Sequence, residues 1–353
     1  MLNLTEISIT TRKLLVWLII VFIGYLILKI ISGIAIQYWK ATHPPLLPQP
    51  NLRFDKIPSP KFTHVATSSS GFKFVLENVE GQPPETTSAG KVYSMPKKLP
   101  SLLSSERAKK FAAKLNFTDE PELVTSTLYR FFDPSDKLRT LEIDINDMNF
   151  KIKYDYTKNS QIFNHGQVMT RDQALTEVKN FLQLNSLFDE TILKGKITVE
   201  TLTFNPDSKV FNTVSSFSQA NSVRINFFRN DLDELNILPP SFNQSYNYAL
   251  FTASVPPYPR ITEISYTFWP IELNDFATYP LKSGAVAWQD LLDGYALIVN
   301  VGRNSPDKIV IRKIYLAYYD SEEPQLYLQP IFVFEGDNDF VAYLPAIDSN
   351  YLK

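Results

Sequence analysis

The sequence predicts an α+β protein: an N-terminal transmembrane helix followed by repeated units, each a short amphipathic helix with an antiparallel sheet. Three observations carry this. An uncharged apolar run fills Leu14 to Leu28 and resumes from Ile30 to Trp39. Downstream, stretches with apolar residues at i, i+3, i+4 and i+7 open at a Ser or Thr, the residues that cap helix N-termini. Runs of β-formers alternating with polar residues follow each of them, as in a sheet with one wet face.

Composition narrows the function classes. The chain has 353 residues, 44% hydrophobic and 20% charged, which is globular composition and long enough for two or three packed units. Lys and Arg number 35 against 37 Asp and Glu, a net charge of -2, so there is no positive field to condense on a phosphate backbone and no nucleic-acid partner is expected. The absence of cysteine excludes disulfides, thiolate metal sites and cysteine nucleophiles together.

Residues 14–39 read as the membrane span, since about 20 helical residues cross the roughly 30 Å hydrocarbon layer. A cleaved signal peptide has a shorter apolar region ending in a small-x-small site, of which Gly33 and Ala35 make a poor version; the segment reads as an uncleaved anchor, with the lipid bilayer its partner. Arg12 and Lys13 precede the run, so the positive-inside rule places residues 1–13 as a short cytoplasmic tail and the rest outside the cytoplasm, although Lys29 and Lys40 blunt the asymmetry. Trp17, Tyr38 and Trp39 suit the two interfaces. The expected location is the cell membrane, single-pass.

Residues 40–60 are dense in proline, which removes backbone donors and favours extended chain, and read as a semi-rigid stalk. Three modules follow: residues 61–165, 166–275 and 276–353. In the first, Ser104 or Ser105 caps a helix to about Leu115 with Ala108, Phe111, Ala112 and Leu115 on one face, and strands run over Thr127 to Phe132, Leu138 to Asn146 and Phe150 to Tyr156. The second opens on the capping box Thr170-Arg171-Asp172-Gln173 with the stripe Ala174, Val178, Phe181 and Leu182, then strands Ile197 to Phe204, Ser222 to Phe228, Tyr248 to Val255 and Ile261 to Trp269. In the third, Ser283 caps a helix carrying Val286, Ala287, Leu291 and Leu292, ended by Gly294, before strands Ile309 to Tyr319, Leu326 to Phe334 and Phe340 to Ile347.

The third module, with Ala287-Trp288 and Leu291, then Ile314 to Tyr319, Leu328 to Phe334 and Tyr343-Leu344-Pro345-Ala346-Ile347, resembles the C-terminal region of YycH/YycI-type regulators and the wider PepSY-like group. The likeness covers the C-terminal module and the overall layout; the stretch from Phe204 to Tyr248 departs from it. It implies a single-pass protein with repeated helix-plus-sheet units outside the cytoplasm that regulates a membrane partner such as a sensor kinase.

Motifs with a built-in mechanism are absent: no HExxH, GxSxG, P-loop or dinucleotide-binding glycine fingerprint occurs. Of the three histidines, His43 lies in the stalk, and His64 with His165 have no ligand or triad pattern around them. Glu142 and Asp144 share a strand face, as a general acid and base could, but they alternate with aliphatics as on any solvated sheet face. Glu335-Gly336-Asp337-Asn338-Asp339 offers calcium-type oxygens without the EF-hand spacing and reads as a hairpin turn. Ser68-Ser69-Ser70-Gly71 reads as a flexible turn. No catalytic, cofactor or metal residue is expected. Tyr246, Tyr248, Tyr258 and Tyr266, near Pro256-Pro257, are the candidate partner surface, because exposed tyrosines make adaptable contacts. The expectation is therefore a non-enzymatic, membrane-anchored protein acting on a membrane or cell-envelope protein. A carboxylate hydrolase or a ligand-binding accessory subunit of a transporter is the alternative.

Overall fold

The structure, a computed structural model, describes residues 4–42, 49–63, 67–163, 166–185, 187, 192, 194–255, 259–303 and 308–353. The chain divides into two compact units, residues 1–48 and 49–353. The first is helix α1 (Leu4–Thr42), a single run through the whole apolar stretch. Its segment Trp17–Ile36 is 20 residues long, apolar enough to cross a membrane, and wholly unburied within the protein. Helical geometry leaves no backbone donor or acceptor of that segment unpaired, which is what a hydrocarbon layer demands.

The described residues of the second unit form two nine-stranded sheets. Strands are numbered β1 to β18 along the chain. One sheet is antiparallel throughout: β4 (Glu122–Leu123), β5 (Leu128–Phe132), β6 (Arg139–Asp144), β7 (Phe150–Tyr154), β8 (Ile197–Asn205), β9 (Val210–Thr213), β10 (Ser222–Phe227), β12 (Tyr248–Thr252) and β13 (Ile261–Tyr266), in the order β4-β5-β6-β7-β13-β12-β10-β8-β9. Helices α2 (Ser104–Lys114) and α3 (Arg171–Leu184) cover one face. Ala108, Phe111 and Ala112 of α2 and Ala174, Val178 and Leu182 of α3 bury with Leu141, Ile143, Phe150, Ile152, Val223, Ile225, Phe251 and Ile264 in one core. The alternation of Leu141 and Ile143 with Glu142 sets which face that is, because neighbouring strand residues point to opposite sides.

Local chemistry explains the helix ends. The Thr170 hydroxyl accepts from the Gln173 amide while the Gln173 side chain accepts from the Thr170 amide, the reciprocal cap the sequence predicts. At α2 the cap differs: Leu103 is the N-cap and its hydrocarbon side chain has no acceptor to offer, while the Ser104 hydroxyl accepts from the Ser101 amide.

The other sheet is mixed. It comprises β1 (Thr67–Ser68), β2 (Phe74–Leu76), β3 (Ala89–Ser94), β11 (Ile237–Leu238), β14 (Glu272–Pro280), β15 (Leu297–Asn300), β16 (Ile309–Tyr319), β17 (Tyr327–Gly336) and β18 (Val341–Pro345). Here the expectation of purely antiparallel sheets is corrected: β2 and β11 each pair with β16 in parallel. Both come from segments far from β16 in sequence, so no hairpin forces the antiparallel sense. Helix α4 (Gly284–Leu292) packs Ala287 and Leu291 on Phe332, Phe334, Ala342 and Leu344.

Residues 67–94, grouped by sequence with the first module, hydrogen-bond to strands of residues 272–336 instead: β1 to β15, β2 to β16, and β3 to β14 and β17. The expected boundary at 275 falls inside β14. The stalk also differs. Residues 43–48 lie outside the described residues, but 49–60 pack onto the folded unit: Ile57 is fully buried, and Asn51 exchanges bonds with the Thr278 amide and hydroxyl. Leu52, Phe54 and Ile57 supply the apolar area that proline content alone obscured.

Ser68 and Ser69 also have fixed partners where a flexible turn was expected. The Ser69 hydroxyl, fully buried, donates to the Leu291 carbonyl at 2.9 Å, and that of Ser68 donates to the Gly294 carbonyl. They tie this segment to carbonyls at and just beyond the C-terminal end of α4. Gly294 has φ +89°, and a Cβ there would meet Ser70 Cβ at 2.9 Å, so glycine is required twice over.

Candidate functional site

The face of the antiparallel sheet opposite α2 and α3 carries the site. Register builds it in two rows. Arg130 of β5 lies opposite Glu142 of β6, and Glu142 opposite Lys151 of β7; Lys153 of β7 lies opposite Glu263 of β13. Further on, Arg224 of β10 lies opposite Glu200 of β8, and Asn226 opposite Tyr248 of β12. Charges of alternating sign therefore cross the sheet, and cross-strand neighbours of opposite sign attract.

Glu263 is the centre. It is buried, and its carboxylate accepts the Tyr248 hydroxyl at 2.7 Å. Burial, and then the charge and hydrogen bond of Glu263, push the Tyr248 and Tyr156 phenols well above their ordinary range, so both remain donors at any physiological pH. The Arg224 guanidinium sits 3.9 Å from the centre of the Tyr248 ring and donates to Asn226 and to the Ser245 carbonyl. Asn226 in turn donates to Glu200 at 2.7 Å, and Gln244 reaches the other Glu200 oxygen. Burial, and then the neighbouring Lys153, pull the Lys151 ammonium below its ordinary value.

Two cavities open on this face. One of about 420 Å³ is lined by Arg130, Glu142, Lys153, Asp155, Tyr156 and Glu263, among others. The second, about 190 Å³, is lined by Lys151, Arg224, Gln244, Tyr246, Tyr248 and Glu322, among others. A preformed hollow with fixed donors, a fixed carboxylate and flanking cations suits a ligand or peptide segment that carries charge and hydrogen-bonding groups.

The tyrosines singled out by sequence divide. Tyr248 is part of the network. Tyr246 lines the smaller cavity but gives its hydroxyl to Asp320 at the joint between the sheets. Tyr266 lies on the opposite face, stacked on Phe150 under the helices with ring centres 5.6 Å apart. Tyr258 and Pro256-Pro257 lie outside the described residues. No exposed tyrosine row forms from the described members. Tyr156 and Glu263, which sequence reasoning missed, come from different modules; the available signal was Glu263 itself, the one charged residue inside the strand Ile261–Tyr266.

The other candidates take structural roles. Glu142 pairs with Arg130 at 2.7 Å, while Asp144 caps the β6–β7 turn by accepting from Thr127 and the Asn146 amide. Glu335 and Gly336 end β17, and Asp337 to Asp339 form the turn to β18, where Asp337 binds Arg312 and Asn338 and Asp339 have φ of +56° and +68°. His43, His64 and His165 lie outside the described residues. Among the described residues no group of three His, Cys, Asp or Glu is placed to hold a metal.

No protein-family model matches this chain. No curated protein matches it either. Among solved structures, it is similar to an uncharacterized protein from Eubacterium rectale at 11% identity and a TM-score of 0.41, over 77% of this chain and 87% of that one.

Proposed function

We propose that the chain is a single-pass, membrane-anchored binding protein whose folded unit lies outside the cytoplasm and acts, without catalysis, on a membrane or cell-envelope protein. The observation that carries the reading is the pair of polar hollows on one open sheet face, one lined by Glu263 and the other by Tyr248 and Arg224, with the Tyr248–Glu263 hydrogen bond linking their linings. The membrane-length helix supports the anchor, and Arg12 with Lys13 supports the orientation. The antiparallel sheet supports a repeated PepSY-like module: a helix and β4 to β7 fill one half, and a helix with β8, β9, β10, β12 and β13 fill the other, meeting at β7 and β13. With the resemblance of the C-terminal strands to YycH/YycI-type regulators, a sensor kinase is the proposed kind of partner.

Crosslinking the full chain in its native membrane, followed by mass spectrometry, tests the reading. Stoichiometric capture of one membrane or envelope protein, reduced by Glu263→Gln, is the expected result. No specific capture, together with hydrolysis of a cell-wall component by the purified protein, would overturn it. One observation favours that second reading: Glu142, Asp155 and Glu263 all line the same cavity.

A further inference from the structure

We infer that the folded unit carries a second membrane contact, a bilayer-binding patch at residues 97–114 that takes anionic lipid headgroups; the inference rests on the anchored reading above. Leu99 is 85% exposed, Leu102 fully exposed and Leu103 60% exposed, three large aliphatic side chains within five residues. They are held out by structure. At one end Lys97 and Lys98 lie beside Asp147 of the β6–β7 turn. At the other, the Ser104 amide donates to the Ser101 carbonyl, the Ser101 amide to the Ser104 hydroxyl and the Leu103 amide to the Ser101 hydroxyl. That turn fixes Leu102 and Leu103 at the tip of α2.

Cations flank the leucines on both sides. Lys97 and Lys98 precede them, and the exposed face of α2 presents Arg107, Lys110 and Lys114, spaced to lie along one stripe. The acids facing this group are Glu106 on the same helix and Asp147 beside Lys97 and Lys98; Lys109 is occupied by Glu120. An apolar centre ringed by a surplus of cations matches the boundary between acyl chains and anionic headgroups, where leucines bury and lysines and arginines meet phosphate. The same chain supplies the bilayer: the membrane-length segment ends at Ile36 and the folded unit begins at Gln49. Tethering makes a contact too weak to recruit a free protein effective.

The cysteine-free sequence makes the test direct. Full-length Leu102→Cys, carrying a polarity-sensitive dye, is reconstituted into vesicles of phosphatidylcholine with or without phosphatidylglycerol, alongside Val210→Cys on the exposed strand β9 as control. Flotation first reports whether the chain is anchored; failure to float overturns both the anchored reading and this inference. For floated protein, the expected result is a blue shift at position 102 and quenching by shallow spin-labelled lipid only with phosphatidylglycerol. Both are lost in Arg107→Glu/Lys110→Glu/Lys114→Glu and at about 1 M salt, where screening shortens to about 3 Å. No shift at 102, or an equal shift at 210, would each overturn the lipid contact while leaving the anchor intact.

Discussion

Arg229 and Asp320 meet at 2.9 Å with their side chains 2% and 5% exposed, and through this ion pair the loop after β10 of the antiparallel sheet is joined to the end of β16 of the mixed sheet. Tyr246 gives its hydroxyl to the same carboxylate oxygen, and Arg229 also donates to the Trp269 carbonyl at 2.6 Å. Asp320 Oδ1 has no hydrogen-bond partner among the described residues. Removing one member leaves an uncompensated buried charge, so Asp320→Ala is expected to cost about 3–5 kcal/mol, whereas replacing both by Arg229→Met/Asp320→Leu costs far less. Urea denaturation of the full chain in detergent measures both; equal losses would contradict the pairing.

Tyr248→Phe deletes the phenol bond to Glu263 and keeps the ring under Arg224. Stability is expected to fall by about 1.5–3 kcal/mol, the range for a hydrogen bond to an ionised acceptor. Partner capture in the crosslinking experiment is expected to fall much more. Unchanged capture would move the binding surface elsewhere.

The Thr170–Gln173 capping box predicts a measurable helix-end effect. Thr170→Ala is expected to lower stability by about 1 kcal/mol, and Thr170→Ser to be nearly neutral, because serine keeps the accepting oxygen. Thermal unfolding followed by circular dichroism distinguishes the two.

Asp133 supplies a pH dependence. Burial alone would raise its pKa, but hydrogen bonds from Ser135 and from Arg139, 2.8 Å away, outweigh it and hold the carboxyl below the ordinary aspartate range. A depressed folded-state pKa contributes stability that is present above the unfolded value of about 3.9 and is lost as pH falls through that value toward the folded one. Asp133→Asn is therefore expected to be destabilised at pH 7 and to converge with the parent protein as pH drops below about 4. A gap that persists into acid would refute the ionic contribution.

Elements with a local signal were legible. Thr170 and Gln173 fix the start of α3 within one turn, and Leu141, Ile143 and Glu142 give both strand and face. β3 was not, because Ala89-Gly90-Lys91-Val92-Tyr93-Ser94 has no period-two pattern and is a strand only through pairing with β14 and β17. The Arg229–Asp320 joint is invisible for a related reason: each residue alone reads as a solvated charge, and only packing places them together. At the candidate site, the Lys151 and Lys153 alternation could be read as a polar sheet face, but that Glu263 would lie opposite Lys153 depends on the meeting of β7 with β13.

The pairing of β1, β2 and β3 with strands that begin at Glu272 or later bears on the order of assembly. The antiparallel sheet has every strand it needs once Tyr266 has been made, so it can close while the C-terminal quarter is still being synthesised. The mixed sheet, which holds the leading strands β1, β2 and β3, is by contrast completed last. Contacts of such long sequence separation form slowly, because loop closure precedes any reward. A nascent chain halted shortly after Tyr266 is thus a protease-resistant middle with an unprotected leading segment at residues 67–94, and that segment is where a chaperone or protease would first find purchase.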